Sequence, residues 1–361
     1  MKHLFLLILL FPYYIFGQSE IVLTGKVIDK ISGLPLQGAS VFAQNTTFGE
    51  ASKEDGSFKL KLPSGGYELI VTYTGYETFV TRVNNSNNGN NLVIELKLKE
   101  KELQEVSVTF STEVKDGWEK YGGFFIDNFV GKTAFAHETE IKNPEVLKFY
   151  YSKKRNRLKV ISKEPLILTN KALGYTIKYA IDSFAYEYNT NTNTFVGYPL
   201  FEEMKGTDDQ RNIWQENRAK VYKGSILHFM RSLYNKSLAD QGFEIQFLIN
   251  ANGVDKPLQL KDQYAAINYV KDDSANIVEF NPNQPVMAVI YNHAKPEPAY
   301  LQFDPNARTD FRVSTMNINK DVSIAIEQNG YYFEQADIII NGYWAFEKVG
   351  NMLPYDYQPP Q

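Results

Sequence analysis

The chain has 361 residues, no cysteine and a formal net charge of −4 at pH 7. The lack of cysteine excludes disulfides and thiolate metal sites, and the acidic balance excludes bulk electrostatic attraction to nucleic acid. The 24 Tyr and 24 Phe residues favour strands over helices, because aromatic side chains suit a pleated surface.

The N-terminus is typical of a secretory signal peptide. A positive charge at Lys2 precedes an apolar run from Leu4 to Phe11, and the small residue Gly17 supplies a cleavage point. The run is shorter than the roughly 20 residues that a membrane span needs. We expect residues 1–17 to direct secretion across the inner membrane and to be removed. An uncleaved anchor is the alternative; after removal, the chain is expected to have no transmembrane helix.

Residues 20–98 show short alternating segments separated by turn residues, which predicts a β-sandwich without helices. The dipeptide Asp55-Gly56 predicts a hairpin, because Gly tolerates the positive φ of such turns. Phe58, Leu60 and Leu62 alternate with lysines, which predicts a strand with one buried face. The predicted strands are Ile21–Asp29, Ala39–Gln44, Phe58–Leu62, Tyr67–Tyr73, Glu77–Val83 and Leu92–Leu98.

Four blocks occur in order along this segment: Thr24 to Val27, Gly33 to Val41, Glu54 to Phe58 and Tyr73 to Glu77. Together they resemble the carboxypeptidase regulatory-like domain, a prealbumin-like β-sandwich. The family takes its name from a domain appended to zinc carboxypeptidases, so the resemblance implies a sandwich that is not itself the peptidase. The segment is also similar to the leading domain of TonB-dependent receptors, but the remaining chain is too short for a barrel of about 22 strands. The positions that carry the fold signature are Gly25, Gly33, Pro35, Gly38, Asp55, Gly56, Phe58, Gly75 and Tyr76.

After a connector at residues 99–113, residues 114–361 mix helical and strand patterns. Helices are predicted over Asp116–Phe129, over Gln210–Tyr222 with a cap at Thr207, and from Ser225 to a close at Gly242. The pattern predicts an α+β domain rich in antiparallel strands, so the whole chain is expected to be mainly β with α. The predicted strands are Val146–Ser152, Arg157–Ser162, Leu166–Thr169, Tyr175–Tyr188, Thr194–Tyr198, Glu244–Asn250, Met287–Asn292, Tyr300–Phe303, Val322–Gln328 and Asp337–Ile340.

This larger region contains the segments Asn143-Pro144-Glu145-Val146-Leu147, Asn170 to Tyr175, Tyr222 to Ser225 with His228-Phe229, Gly342-Tyr343-Trp344 and Leu353 to Tyr357. On these residues it resembles the C-terminal part of uncharacterised envelope proteins that carry the same regulatory domain. The resemblance implies no activity.

Metal binding has weak candidates in this region. His137 and Glu140 have an H-x-x-E spacing, and His228 lies downstream as a third ligand, which is the number a catalytic zinc needs. The motif lacks its surrounding context, so we interpret His137 as a surface histidine beside acids and predict no metal site. No cofactor site is predicted either.

Catalytic residues are not predicted. Gly224-Ser225-Ile226 lacks the G-x-S-x-G elbow of a nucleophile, and Ser225 is better explained as a helix N-cap. The pairs Glu202-Glu203 and Asp208-Asp209 are adjacent in sequence, which is typical of solvated loop and cap residues. Glycosidase chemistry would instead need two carboxylates facing each other across a cleft.

Aromatic residues are the remaining candidates for binding. Trp118, Trp214 and Trp344, with surrounding tyrosines, are expected to pack in the core, while stacking on sugars or contacting protein partners is the alternative. The basic run Lys153-Lys154-Arg155 is expected to form a solvated hairpin loop.

These observations favour a non-enzymatic binding or assembly protein of the bacterial cell envelope, in the periplasm or at the periplasmic face of the outer membrane. Its partner would be an envelope protein or a glycan, and nucleic acid is excluded as a partner. The alternatives are a glycan or peptide hydrolase with an unmarked site, and a carbohydrate-binding module.

Overall fold

The computed structural model describes residues 20–84, 90–99, 112–319, 322–333 and 335–360. The predicted signal peptide and most of the predicted connector lie outside these ranges. Within them, no helix is long and apolar enough to cross a bilayer.

The N-terminal part is a sandwich of two sheets. One sheet has the strand order β4-β1-β7 and the other β3-β2-β5-β6. β1 pairs with β4 in antiparallel and with β7 in parallel orientation. Alternate residues, such as Leu23 and Val27 of the first sheet and Leu69 and Val71 of the second, meet in the core. The strands are β1 (Ile21–Asp29), β2 (Ser40–Ala43), β3 (Gly49–Ala51), β4 (Ser57–Leu62), β5 (Tyr67–Thr72), β6 (Phe79–Val83) and β7 (Leu92–Leu96).

The prediction of a hairpin at Asp55-Gly56 was wrong. The turn exists, and Gly56 has a φ of 76° as expected. It joins β3 to β4, however, and these strands belong to different sheets. The Gly56 carbonyl accepts a hydrogen bond from Val27 N at 2.9 Å, so the turn is attached to β1 rather than closing a ladder of its own.

Gly25 lies in the middle of β1, where two neighbours leave no room for a side chain. A Cβ there would lie 2.3 Å from the Leu92 carbonyl oxygen and 2.9 Å from Cε1 of Phe58. We therefore expect Gly25→Ala to lower the free energy of unfolding by about 1–3 kcal/mol. Urea denaturation measures this, with Gly123→Ala as the control, because that helical position is open and Ala favours helices. Equal stability of the two variants would contradict the packing described.

The middle of the chain forms a seven-stranded sheet covered by a helix. Its strand order is β8-β10-β11-β13-β12-β9, and β14 pairs with β13 in a long hairpin. Helix α1 covers one face, where Phe125 and Phe129 enter the core beside Phe149 and Phe184. The elements are β8 (Thr112–Glu113), α1 (Gly117–Phe129), β9 (Thr139–Ile141), β10 (Leu147–Ser152), β11 (Arg157–Ser162), β12 (Leu166–Asn170), β13 (Tyr175–Glu187) and β14 (Thr192–Glu203).

The rest of the chain begins with two helices, which are followed by two further sheets and three short helices. A second core lies between these elements. The sheets have the strand orders β16-β15-β19-β20-β22 and β17-β18-β21. The sheets of the whole chain confirm the prediction of a mainly β fold that also contains α-helices and is rich in antiparallel strands. The elements are α2 (Asp208–Tyr222), α3 (Ile226–Tyr234), β15 (Phe243–Ala251), β16 (Val254–Gln259), α4 (Gln263–Ala266), β17 (Val270–Asp272), β18 (Ile277–Phe280), β19 (Val286–Tyr291), α5 (Pro298–Phe303), β20 (Arg312–Ile318), β21 (Ile324–Glu327), β22 (Ile338–Gly342) and α6 (Tyr343–Glu347).

Two element predictions in this part were wrong. Helix α3 ends at Tyr234 and not at Gly242, because Lys236 adopts the left-handed conformation that terminates a helix. Residues 300–303 are helical, as the end of α5, and not a strand. Pro298 at the first turn fixes a helical φ there, and a segment of four residues is too short for its hydrophobic pattern to distinguish helix from strand.

The N-terminal sandwich is attached to the rest by backbone hydrogen bonds. Asn45 N donates to the Pro199 carbonyl at 2.7 Å, and Phe201 N donates to the Thr46 carbonyl at 2.9 Å. Tyr355 N, near the C-terminus, donates to the Asn45 carbonyl at 2.7 Å. One loop of the sandwich is thus held between β14 and the C-terminal segment.

A second contact joins β6 to the last part of the chain. The Arg82 guanidinium lies 3.4 Å from the ring centroid of Phe333 and 3.6 Å from a carboxylate oxygen of Glu327. Burial raises the pKa of Glu327, while Arg82 opposes that shift. A stacked and ionic contact of this kind restricts the orientation of the sandwich.

Candidate binding site

The weak metal candidates lie in separate environments. His137 is exposed in a 3₁₀ turn, and Glu140 is exposed beside Lys142 and Lys171, at 2.7 and 3.6 Å. The hydrogen bond from Lys142 holds the pKa of Glu140 below its usual value. Across residues 20–84, 90–99, 112–319, 322–333 and 335–360, no three His, Asp or Glu side chains form a group that could hold a metal ion.

His228 is a buried structural residue of α3. Its Nδ1 accepts a hydrogen bond from Gly224 N at 3.1 Å, and its Nε2 lies 3.0 Å from Oε1 of Gln241. Burial lowers the pKa of the imidazole, which favours the neutral ring with its proton on Nε2. Both ring nitrogens are therefore occupied by protein groups.

The other residues weighed from the sequence also have structural surroundings. Ser225 caps α3 by accepting a hydrogen bond from His228 N, as predicted. Trp214 and Trp344 are buried, and their Nε1 atoms donate to backbone carbonyls at 2.9 and 2.8 Å. Trp118 is partly buried, 6.4 Å from the Phe149 ring centroid. The three tryptophans pack in or against the core.

The carboxylate pairs do not face each other across a cleft. The prediction that Glu202 and Glu203 lie in a loop was wrong, because both lie at the end of β14. Glu202 pairs with Lys178, and Glu203 pairs with Arg218. Asp208 and Asp209 occupy the first turn of α2, where negative charge suits the helix dipole.

A different group of side chains lies at one end of the seven-stranded sheet, where α1 crosses the strands. We call it the aromatic surface. All its members are partly exposed and contact one another in a continuous series. It consists of Tyr121, Phe124, Tyr151, Tyr186 and Tyr188.

The geometry of the aromatic surface follows from the periodicity of its elements. Tyr121 and Phe124 are three residues apart on α1 and so share one helix face, while Tyr151 and Tyr186 are on strands β10 and β13. Ring centroids are 6.4 Å apart for Tyr121 and Tyr151, and 6.2 Å for Tyr151 and Tyr188. Phe124 lies 5.5 Å from Tyr188 and 4.8 Å from Tyr186.

Asparagine side chains connect the two turns that border the aromatic surface. The Tyr151 hydroxyl donates to Oδ1 of Asn156 at 2.6 Å, and Nδ2 of Asn156 donates to Oδ1 of Asn189 at 2.9 Å. Tyr188 N donates to the Asn156 carbonyl at 3.0 Å. The hydroxyl of Tyr186 reaches Oδ1 of Asn191 at 3.4 Å. These bonds preorganise the rings and leave an amide-rich rim.

Burial keeps the hydroxyl of Tyr188 in its neutral form. Burial, reinforced by Tyr121, Tyr151 and Tyr186, raises the pKa of Tyr188 to about 12. The hydroxyl is therefore a hydrogen-bond donor at all physiological pH values. The turn from β10 to β11 carries the exposed run Lys153-Lys154-Arg155, as predicted for a solvated hairpin loop.

The aromatic surface was not predicted from the sequence, because the tryptophans were considered as the main aromatic binding residues. A signal was present: Tyr-Tyr at 150–151 lies one residue before an Asn-containing turn, and Tyr-Glu-Tyr at 186–188 enters another. What the sequence did not reveal is that the two turns are adjacent.

One recess of about 400 Å³ lies elsewhere, between α4 and the end of β19. Glu244, Gln263 and His293 are among its lining residues. Oε1 of Gln263 accepts a hydrogen bond from Ile245 N at 2.7 Å, so this amide already has a structural role.

Comparison with known proteins supports the N-terminal assignment. Residues 23–108 match the family model described as the CarboxypepD_reg-like domain, which confirms the resemblance seen in the sequence. No match was found among curated proteins.

Among solved structures, the chain is similar to a 9R-lipoxygenase from Cyanothece PCC8801, with 9% identity and a TM-score of 0.16. The match covers 62% of this chain and 49% of that one, so the chain spans about half the length of the lipoxygenase. A TM-score this low carries no argument about fold or function.

Proposed function

We propose that this chain is an exported, non-enzymatic binding protein of the bacterial cell envelope, and that the aromatic surface is its ligand-binding face. The CarboxypepD_reg-like domain at residues 23–108 supports a binding module. The signal-peptide pattern at residues 1–17 supports export to the periplasm or the periplasmic side of the outer membrane.

The observation that carries the proposal is the continuous contact of five partly exposed rings, beside two turns that hydrogen bonds join to each other. Rigid aromatic side chains lose little conformational entropy on binding and offer both an apolar face and a polar edge. Such groups dominate the binding energy of many recognition surfaces. The rings of the aromatic surface meet these conditions before any ligand arrives.

The hydrolase alternative is supported by the recess that Glu244 and His293 help to line. A carboxylate and an imidazole in one recess are groups that acid–base chemistry uses. The aromatic surface is the stronger candidate, because its five rings are fixed in mutual contact and remain partly exposed. Turnover of a glycan or peptide library by the purified protein would favour the alternative.

We expect the double variant Tyr121→Leu/Tyr188→Leu to bind washed envelope fragments of the source bacterium at least tenfold more weakly than wild type. Leucine keeps apolar contact with the core but removes the ring face and the hydroxyl, and one aromatic anchor is worth about 2 kcal/mol. Co-sedimentation with the fragments measures the dissociation constant.

The matched control is Phe303→Leu, which removes an exposed ring on α5, away from the aromatic surface. It should bind like wild type. Thermal unfolding of all three proteins shows whether the double variant is folded. Unchanged binding by a folded double variant would contradict the proposal.

A further inference from the structure

We infer that the ligand of the aromatic surface is an acidic oligosaccharide. The inference rests on the proposed function and specifies its ligand class. Two observations carry it: the chemistry of the rim around the rings, and the charge of the neighbouring turn.

The rim has the hydrogen-bonding groups that suit sugar hydroxyls. Asn189 and Asn191 are exposed, as are Thr190, Thr192 and Thr194. Amides and hydroxyls both donate and accept, so they match hydroxyl groups that do the same. The neighbouring tyrosines offer apolar faces to the C–H face of a pyranose ring, and hydroxyl groups at their edges.

The turn from β10 to β11 adds positive charge beside the rings. It begins beyond Ser152, which follows Tyr151 at the end of β10, and its Asn156 carbonyl accepts the hydrogen bond from Tyr188 N. Lys153 and Arg155 are exposed in it. Glu187, the acid at the start of the facing turn, pairs with Arg157, with 2.9 Å between Oε1 and Nε. The cations therefore complement a carboxylate on the ligand.

A protein partner fits the rim less well. Protein interfaces place their aromatic anchors in desolvated, well-packed centres. Here the rings border directly on two polar turns that project into solvent, which is an arrangement suited to a hydroxyl-rich ligand.

The test is calorimetric titration of the full chain with two soluble probes of equal length, tetragalacturonate and cellotetraose. We expect tetragalacturonate to bind at least tenfold more tightly than cellotetraose at low salt, and this difference to shrink as salt rises. Lys153→Gln/Arg155→Gln should abolish the preference and leave cellotetraose binding unchanged. Tyr188→Leu should weaken the binding of both probes about tenfold. Phe303→Leu should leave the binding of both probes unchanged.

Three results would overturn the inference. The first is equal affinity for the two probes, and the second is a preference for tetragalacturonate that survives Lys153→Gln/Arg155→Gln. The third is no binding of either probe at millimolar concentration while envelope fragments still bind through the aromatic surface. In that last case the proposed function stands and its ligand belongs to another chemical class. Loss of both kinds of binding would contradict the function itself.

Discussion

Replacing Arg231 with Met is expected to lower the free energy of unfolding by at least about 3 kcal/mol. The side chain is buried in α3, and its guanidinium makes three hydrogen bonds to backbone carbonyls. Nε donates to Asn329 O at 2.9 Å, Nη1 to Tyr357 O at 2.9 Å and Nη2 to Tyr355 O at 3.0 Å. Methionine fills a similar volume but leaves three acceptors unpaired, at about 1–3 kcal/mol each.

Urea denaturation measures the loss of unfolding free energy, and two further variants serve as comparisons. Arg211→Met removes an exposed arginine of α2, whose loss should cost less than about 0.5 kcal/mol. Arg231→Lys should recover only part of the stability, because an ammonium group cannot reproduce the planar fork. If Arg231→Met were as stable as Arg211→Met, the C-terminal segment would not be held as described.

The second large effect is expected in the pH dependence of stability. Glu347, in α6, is buried, and this burial raises its pKa from 4.5 to about 8. Arg312 opposes the shift, and Glu297 reinforces it. Between pH 4.5 and 8 the folded chain keeps a proton that the unfolded chain has lost. The contribution of Glu347 to the stability of the wild type therefore falls as pH rises through this interval.

Glu347→Gln removes the titration but keeps the shape of the side chain. We expect the variant to gain stability relative to wild type as pH rises from 4.5 to 8, with a total change of several kcal/mol. Urea denaturation at a series of pH values up to 8 gives the difference. Measurements stop there because the pKa of Lys348, lowered by burial to about 8, adds its own dependence above it.

The control for this experiment is Glu145→Gln at an exposed position. It should show no such trend relative to wild type. A difference between wild type and Glu347→Gln that stayed constant with pH would show that the carboxyl group is not kept protonated by its burial.

Local signals predicted much of the fold. Thr207 caps α2 as predicted, and residues 157–162 form the strand that their pattern predicts. In β4 the side chains alternate between buried and exposed positions as the sequence indicates. These elements share a cause, because each is determined by residues close to one another in the chain.

The predictions that failed concern features determined by residues that are distant from one another in the chain. The turn at Asp55-Gly56 has the correct local conformation, but the pairing partner of each flanking strand is set by distant residues. The aromatic surface likewise combines Tyr121 on α1, Tyr151 on β10 and Tyr188 beyond β13. No local pattern specifies that α1 packs against those strands, so the tyrosines were not predicted to form one surface.

The most direct test of the central claim is the comparison of wild type with Tyr121→Leu/Tyr188→Leu in binding to envelope fragments. The proposal predicts that the folded double variant binds at least tenfold more weakly, while Phe303→Leu binds like wild type. Equal binding by all three proteins would show that the aromatic surface is only the edge of the hydrophobic core, and that any ligand binds elsewhere.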